Sequence, residues 1–355
     1  MRIVQLIDSL AIGGAERMAV NLANLFSEKN IPNLLIASRG AGPLSVLLND
    51  QQNFKTLGKT KTLDFNAFKR LIGLIKIFKP THLHVHDSSV FWGVVLKIFF
   101  PGIQLIWHAH YGGFSSSDKR FGGKLKFIQY GINYMIAVNE ELIGWAGKEL
   151  PEVKRKVFIE NFPDITGDFK KSERQSKTII CVANLKSPKN HHLLIKAFSQ
   201  FLKKRPEFEL QLLGSCPDPI YLEEVKTLIK ENDLSESVNI VGEILDLRPY
   251  FENCRFAVLA SQAEGLPVSL LEMGIAKVPI LCTRVGQCPD LLDDGRLGFL
   301  VPSNDLNSMV SMLIELADHP EEASEKAELF QKKVIKNYGK ENFLRKYKEL
   351  LGQNN

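Results

Sequence analysis

The chain has 355 residues, of which 45% are hydrophobic and 24% are charged, and its formal net charge is +5. This length can bury a large core and predicts two domains, and the composition is that of an ordinary soluble globular protein. The most hydrophobic run, residues 90–100, contains Lys97 and is too short to span a bilayer, so we expect a buried helix there, with an interfacial helix as the alternative.

Charge and cysteine content differ between the two halves. Residues 1–162 hold 20 Lys/Arg against 12 Asp/Glu, whereas the remainder holds 25 against 28. A basic first half indicates a surface for an anionic partner, such as acidic lipid, a phosphorylated carrier or nucleic acid; scattered solvated lysines are the alternative. All five cysteines lie in the second half without a CxxC pair, and MRIVQLIDSL begins directly with a strand pattern, so we expect a cytosolic chain without a signal peptide.

The first half alternates between strand-like and helix-like segments. In chain order they are IVQLI, AERMAVNLANLFSEKN, NLLIAS, FNAFKRLIGLIKIFKP, HLHVH, VFWGVVLKIFF, QLIWHAH, GKLKFIQYGIN, YMIAV and NEELIGWAGKEL. Such alternation predicts parallel strands joined by crossover helices, and therefore a doubly wound α/β domain over residues 1–162. Ligands of such sheets bind at the carboxyl ends of the strands.

The second half repeats this pattern after a polar segment. PDITGDFKKSERQS, residues 163–176, lacks either periodicity and is interpreted as a linker. Alternation resumes over residues 177–335 with KTIICVAN, HHLLIKAFSQFLKKRP, EFELQLLG, YLEEVKTLIKEN, VNIVG, FAVLAS, VPILCT and GFLVP, and the end is charged and helical. The sequence therefore predicts two doubly wound, Rossmann-like domains facing a cleft.

Two features of the first half are candidate ligand contacts. Gly13 and Gly14 follow the first strand and open a helix, so the backbone can approach a phosphate there; a plain tight turn is the alternative. AIGGAERM lacks the G-x-G-x-x-G spacing of a dinucleotide fingerprint. His108 and His110 end the strand QLIWHAH at the edge that faces ligand, where a histidine either contacts substrate or serves the structure.

Histidines also alternate along the preceding strand. His82, His84 and His86 share one face of it, and HVHD is a pattern found in metal-dependent hydrolases. That chemistry needs further ligands at the strand ends of a single barrel, which two successive α/β domains do not offer.

The stretch SQAEGLPVSLLEMG, residues 261–274, follows the apolar strand FAVLA. Pro267 stands where a helix begins, so Glu264 lies on the preceding loop, and Glu272 lies about 7.5 Å along the helix at about 1.5 Å per residue. The helix start between them offers unpaired N–H groups to phosphate. A nucleotide sugar, with hydroxyls at both ends and phosphates in the middle, fits this spacing; a capped amphipathic helix is the alternative.

Lys189, in the segment NLKSPKN, lies near a second helix start. Its point charge suits a leaving diphosphate, whereas a solvated lysine in a charged loop is the alternative. The chain contains no D-x-D pair for Mg²⁺ or Mn²⁺. We therefore expect the diphosphate to be neutralised by lysine and helix ends without metal.

Taken together, these segments resemble the retaining glycosyltransferases of family 4, the group 1 glycosyltransferases, which have the GT-B fold. The resemblance covers nearly the full length and depends on the order and spacing of GGAER, HAH, YMIAVNEEL, KVFIENFPD, NLKSPKN, EGLPVSLLE and TRVGQCPDLLDDGRLGFLVPSND. It implies sugar transfer with retention from a UDP- or GDP-linked sugar, without metal or cofactor, and a last helix, from about residue 336, that packs on the first domain.

The resemblance also implies roles for single residues. Glu264 would hold hydroxyls of the donor sugar, and Glu272 would bind the ribose. Lys189 would stabilise the departing diphosphate, and His110 would touch the sugar near the reacting carbon. The other donor-binding residues that it implies are Gly13, Gly14, Asn184, Gly265, Leu266 and Pro267.

Three positions depart from the family pattern. The family usually has Arg where this chain has Asn184, so one positive charge for the diphosphate is missing. Asn161-Phe162 replaces the usual Asn-Gly of the domain junction, and Gly286-Gln287 replaces a usual Gly-Gly. The last two departures lie where selection of donor or acceptor could differ.

The resulting hypothesis is a cytoplasmic hexosyltransferase, peripheral on the inner face of the membrane. It would act on a glycan or lipid-linked acceptor in cell-surface polysaccharide synthesis and would bind no nucleic acid. The enzymatic alternative is a GT-B-fold sugar-nucleotide epimerase, which turns over donor without acceptor. The non-enzymatic alternative is a protein that binds a nucleotide sugar without catalysis.

Overall fold

The computed structural model describes residues 1–110, 127–163, 169 and 176–353. The chain divides into two compact units, the first formed by Met1–Phe162 with Lys340–Asn355 and the second by Pro163–Gly339. Most of the predicted linker, residues 163–176, lies outside the described residues, as do the first four residues, 123–126, of the predicted helix GKLKFIQYGIN.

The first unit contains a seven-stranded parallel sheet in the order β3-β2-β1-β4-β5-β6-β7. Its strands are β1 (Ile3–Ile7), β2 (Asn33–Ala37), β3 (Phe54–Thr56), β4 (His82–His86), β5 (Gln104–Ala109), β6 (Tyr134–Ala137) and β7 (Arg155–Phe158). Every residue of β1 and β2 is buried, because helices cover both faces of a doubly wound sheet.

Helices of the first unit follow the strands in alternation. Among the described residues before Phe162 they are α1 (Gly14–Glu28), α2 (Phe65–Phe78), α3 (Val90–Phe99) and α4 (Glu140–Glu149). Apolar residues of α2, α3 and α4 share one core with Val4 and Leu6, whereas those of α1 pack on the opposite face with Ile3. Alternating residues of β1 therefore enter two different cores, as the period of a strand requires.

The last helix, α12 (Lys340–Leu350), completes the second of these cores. Tyr347 is fully buried, its ring centre lies 5.6 Å from that of Phe26, and its hydroxyl lies 3.0 Å from Nδ1 of His84. The preceding helix, Pro320–Tyr338, belongs to the second unit. The return to the first unit therefore begins at Lys340, slightly later than the position near residue 336 that the sequence indicated.

The second unit contains a six-stranded parallel sheet in the order β10-β9-β8-β11-β12-β13. Its strands are β8 (Thr178–Val182), β9 (Glu209–Leu213), β10 (Val238–Gly242), β11 (Phe256–Leu259), β12 (Ile280–Thr283) and β13 (Phe299–Val301). Its helices are α5 (His191–Leu202), α6 (Pro219–Glu231), α7 (Arg248–Asn253), α8 (Val268–Ile275), α9 (Cys288–Leu291), α10 (Leu306–Asp318) and α11 (Pro320–Tyr338). Side chains of Asn190, Asp218 and Asp305 cap α5, α6 and α10.

Across the described ranges, no helix combines the length and the apolar character that crossing a lipid bilayer requires.

Replacing Tyr347 with Phe is expected to destabilise the first unit, because the change removes the hydroxyl that pairs with Nδ1 of the buried His84 ring. Leaving a buried polar atom without its partner costs about 1–3 kcal/mol, which urea unfolding followed by circular dichroism would detect. Tyr130→Phe, at an exposed tyrosine of the same unit, is the matched control and should leave the midpoint of urea unfolding unchanged. Equal midpoints for the two variants would contradict a stabilising role for this contact.

Candidate active site

The loop after β1 leads directly into helix α1. Gly14 is the first helical residue, and a Cβ added there would meet no atom within 4 Å, so the space beside it is open. A Cβ on Gly13 would instead lie 2.3 Å from Oε2 of Glu16. Burial raises the pKa of the Glu16 carboxyl. A phosphate at this helix start would therefore compete with the Glu16 side chain for the N–H groups of the first turn.

Four histidines from the adjacent strands β4 and β5 and from the residue after β5 form one cluster, in which His84, His86 and His108 are buried and His110 is partly exposed. Nε2 of His84 lies 3.1 Å from Nδ1 of His108, and Nδ1 of His86 lies 2.9 Å from Nε2 of His110. Burial lowers the pKa of all four rings, to about 3 for His84 and for His110. The cluster is therefore uncharged at neutral pH.

A buried glutamine gives one of these hydrogen-bond chains a direction. Oε1 of Gln5 lies 3.1 Å from Nε2 of His86 and accepts a hydrogen bond from its N–H, so Nδ1 of His86 is left as an acceptor. Nε2 of His110 must then donate to it, and Nδ1 of His110 keeps its lone pair. This Nδ1 atom is buried and has no hydrogen-bond partner among the described residues. His110 therefore presents an acceptor suited to a hydroxyl group.

Three histidines of this cluster lie close enough together to form a metal site. Ring nitrogens of His84, His86 and His108 lie within 4.8 Å of one another, close enough to surround an ion. Apart from Nε2 of His108, these nitrogens already bond to Gln5, to Tyr347 or to other histidines. His82, the remaining histidine of β4, bonds to Thr81 instead. These contacts favour a hydrogen-bonded cluster over the metal-dependent hydrolase pattern.

In the second unit, an ion pair joins the loops that follow β8 and β11. Nζ of Lys189 lies 2.6 Å from Oε1 and 2.8 Å from Oε2 of Glu264. Oγ of Ser261 donates to the same Oε1 at 2.6 Å, and Oγ1 of Thr283 donates to the Ser261 carbonyl at 2.6 Å. The Glu264 side chain is 7% exposed and that of Lys189 is 23% exposed. The carboxylate is thus held by Lys189 and Ser261, and Thr283 in turn holds Ser261, while the ammonium still reaches solvent.

Gly286 brings a neighbouring loop against the backbone of Glu264. Its φ is +52°, and a Cβ at this position would lie 1.9 Å from the Glu264 carbonyl oxygen. The N–H of Gln287 donates to the carbonyl of Gly265 at 3.3 Å. A larger residue at position 286 would therefore displace the segment that carries Glu264.

Helix α8 begins immediately after this segment. Pro267 is its N-cap residue, with ψ of 110°, and Val268 is the first helical residue, one position later than the sequence suggested. No side chain caps this end. N–H groups near Gly265, Leu266 and the first turn of α8 therefore offer donors for a phosphate.

Two further predicted residues have contacts within the second unit. Oδ1 of Asn184 accepts from the Ser215 N–H at 3.2 Å, which ties the end of β8 to the loop after β9. Asn184 therefore supports a neighbouring loop at the position where the resemblance implied a cationic arginine. Glu272 is buried on α8.

Three residues of these arrangements were not assigned a role from the sequence. Gln5 is the one polar residue of the apolar strand IVQLI, and Thr283 ends the apolar strand ILCT. A polar residue within a buried strand needs a hydrogen-bond partner, which is a signal that the sequence does contain. Ser261 gave no such signal, because serine is common in loops.

Both halves of the chain match models of known protein families. The model for glycosyl transferases group 1 matches residues 176–319, and the model for glycosyltransferase family 4 matches residues 12–141. An uncharacterised glycosyltransferase of Haemophilus influenzae is 26% identical over 96% of both chains. The O-antigen biosynthesis glycosyltransferase WbnH of Escherichia coli is 28% identical over 92% of this chain and 94% of its own. The crystal structure of Anabaena HepE in complex with UDP-glucose covers 100% of both chains, with a TM-score of 0.80 and 16% identity.

Two parallel-sheet, Rossmann-like units that match such a structure over the whole chain define the GT-B fold. The two family models together match well over half of the residues. The chain belongs to the group 1 glycosyltransferases, family 4, and the fold and family expected from the sequence are confirmed.

Replacing Gln5 with Leu is expected to release His110 from a single tautomer, because the acceptor that directs the hydrogen-bond chain is lost. In the unmodified protein, ¹⁵N NMR should find the His110 proton on Nε2, and in the variant both nitrogens should be partly protonated. Gln5→Glu keeps an acceptor at this position and should retain the Nε2–H form. A proton on Nδ1 of His110 in the unmodified protein would mean that the chain runs the other way.

Replacing Gly286 with Ala is expected to lower sugar transfer, because the added Cβ pushes the Glu264 backbone away. A displacement of about 1 Å in an active site can cost about 100-fold in rate. Gly295→Ala is the control, since Gly295 also has positive φ, +102°, but a Cβ there meets no atom within 4 Å. Similar initial rates for the two variants would show that backbone strain, and not the contact with Glu264, explains any loss.

Proposed function

We propose that the protein is a retaining, metal-independent hexosyltransferase that uses a UDP- or GDP-linked sugar and needs no further cofactor. Its acceptor would be a glycan or a lipid-linked sugar in cell-surface polysaccharide synthesis. The O-antigen role in the name of WbnH and the UDP-glucose bound to HepE support this choice. The proposed place of the reaction is the cytoplasm, at the inner face of the membrane.

The observation that carries the proposal is the pair formed by Lys189 and Glu264. Because the Glu264 carboxylate is held by Lys189 and Ser261, it can accept hydrogen bonds from sugar hydroxyls without first being ordered. An ammonium group has three donors, so Lys189 can keep this contact and also bind a phosphate oxygen. The pair would thus orient the sugar and receive the charge of the leaving diphosphate.

Other contacts extend the same proposal along the donor. The uncapped start of α8, with Gly265, Leu266 and Pro267, would face the phosphates, and Glu272 would bind the ribose. The remaining proposed donor contacts are Gly13, Gly14 and Asn184.

His110 would act on the sugar itself. Its buried Nδ1 atom lacks a partner among the described residues, and a sugar hydroxyl would supply one. Because its pKa is lowered to about 3 by burial, the ring stays neutral and keeps this lone pair at neutral pH. We therefore propose that His110 positions the sugar by accepting a hydrogen bond, without transferring a proton.

The chemical step follows from the charges that develop. As the bond between sugar and diphosphate breaks, negative charge grows on the leaving phosphate and positive charge grows on the sugar ring. Lys189 and the N–H groups at the start of α8 would stabilise this negative charge as groups already in place before the reaction, which is how fixed dipoles lower a barrier. Attack by an acceptor hydroxyl on the face that the diphosphate leaves, with the hydroxyl proton passing to the departing phosphate oxygen, would give retention.

Replacing Glu264 with Ala tests the proposal directly. We expect transfer to fall by about 10²-fold or more, as for loss of one preorganised electrostatic contact, while circular dichroism stays unchanged. Calorimetry should find that nucleotide diphosphate still binds but that its sugar no longer adds affinity. Glu328→Ala, on the exposed face of α11, is the matched control and should transfer at the normal rate.

Three results would contradict parts of this proposal. Near-normal transfer by Glu264→Ala would remove the assigned role of the pair. A β-linked product from an α-linked donor, identified by NMR, would exclude retention, and loss of activity with EDTA would exclude metal independence. Conversion of the donor sugar without acceptor would identify an epimerase instead.

A further inference from the structure

The first unit contains a cavity of about 670 Å³ beside α2 and α3. Five aromatic side chains line it: Phe65, Phe68, Phe91, Trp92 and Phe99. The ring centre of Phe68 lies 5.4 Å from that of Trp92 and 6.0 Å from that of Phe99, so these rings form one continuous wall. The volume lies within the roughly 300–1,000 Å³ of small-molecule sites, and this wall offers almost only hydrocarbon contact.

The opposite end of the cavity is charged. Nζ of Lys59 lies 2.9 Å from Oδ1 of Asp8, and Nε of Arg39 lies 2.8 Å from Oδ2 of the same carboxylate. Nζ of Lys59 also stands 5.0 Å from the centre of the Trp92 ring, at the boundary between the two ends. The two cations share the Asp8 carboxylate, and a second carboxylate, that of Asp64, also lines the cavity and accepts from the Ala67 N–H. Asp8 directly follows β1, at the carboxyl edge of the sheet where ligands of such folds bind.

The rim of the cavity exposes large apolar side chains. Phe65 is 84% exposed and Leu63 is 78% exposed, and Val95 and Phe99 of α3 are exposed as well. Several such side chains gathered beside a pocket mark an interaction site, because each exposed apolar group costs free energy in water. A hydrocarbon chain that enters the cavity would cover them.

We propose that this cavity binds the hydrocarbon chain of a lipid phosphate, an alkyl or isoprenoid chain whose phosphate contacts Arg39. The inference rests on the proposed function, in which the acceptor is lipid-linked, and it assigns the lipid portion of that acceptor to α2 and α3. Arg39 uses Nε for Asp8, and its guanidinium has further N–H donors that suit a phosphate oxygen, which favours this occupant over an uncharged lipid. The concave aromatic wall favours a single chain over a flat protein surface.

Binding of n-alkyl phosphates from butyl to decyl, measured by calorimetry, tests the site without any turnover. Each methylene that enters should tighten binding about fourfold, equivalent to about 0.8 kcal/mol per CH₂ group, until the cavity is full. Inorganic phosphate should bind far more weakly than decyl phosphate. Decyl phosphate should also shift the tryptophan fluorescence of the protein, and Trp92→Phe should remove that shift.

Matched variants separate the two ends of the cavity. Phe65→Ser should weaken the dependence of binding affinity on chain length. Ile77→Ser is the control and should leave this dependence unchanged. Ile77 lies on the same helix and is 82% exposed, but it does not line the cavity. Arg39→Gln should weaken the binding of decyl phosphate about tenfold and leave the binding of decanol unchanged. Both Phe65 and Arg39 are exposed, so these variants should keep the circular dichroism of the unmodified protein.

The inference would be wrong if the affinity for alkyl phosphates did not depend on their chain length. It would also be wrong if Phe65→Ser and Ile77→Ser lowered the affinity for decyl phosphate equally, because that would indicate nonspecific adsorption. The test also separates this inference from the proposed function. Chain-dependent binding by a protein without transferase activity would support the lipid site and remove the function. Transfer to a soluble acceptor by a protein that binds no alkyl phosphate would support the proposed function and remove the lipid site.

Discussion

The ion pair between Lys189 and Glu264 depends on the strand order of the second sheet. The two residues are 75 positions apart in the chain, and they meet because β8 lies beside β11. At β8 the order of strands reverses direction, since β9 lies on its other side. Loops diverge from the sheet at such a point and leave a crevice for ligand. In the first sheet, β1 has the same position, and the cavity beside Asp8 and the start of α1 adjoin its end.

This dependence explains how much of the site could be predicted from sequence. Apolar runs and helical periodicity located most elements, and therefore the strand ends that carry Lys189, Glu264 and His110. Periodicity does not reveal which strands are neighbours, so the contact between Lys189 and Glu264 could not be derived. Short strands were missed for a related reason: β3 has three residues, none of them buried, and thus lacks the apolar pattern of a central strand. The helix α10 was missed although its apolar residues recur at helical spacing.

The two units use buried polar groups in different ways. In the first, four histidines whose rings stay neutral form hydrogen bonds to one another. In the second, a carboxylate and an ammonium remain paired near the surface, where solvent lowers the cost of charge. The first arrangement suits recognition of hydroxyl groups, and the second suits a reaction in which charge develops on the ligand.

Helix α12 has a consequence for how the protein is made. Its residues leave the ribosome after both sheets have been synthesised, yet its apolar side chains, among them Phe343 and Tyr347, share a core with residues from the first 162. The second unit, which ends at Gly339, has all of its residues before that point. During synthesis the order of completion is therefore the reverse of the order in sequence: the second unit can close while the first still exposes part of its sheet. Premature termination before Lys340 would leave that apolar face open, and such nascent chains would depend on chaperones.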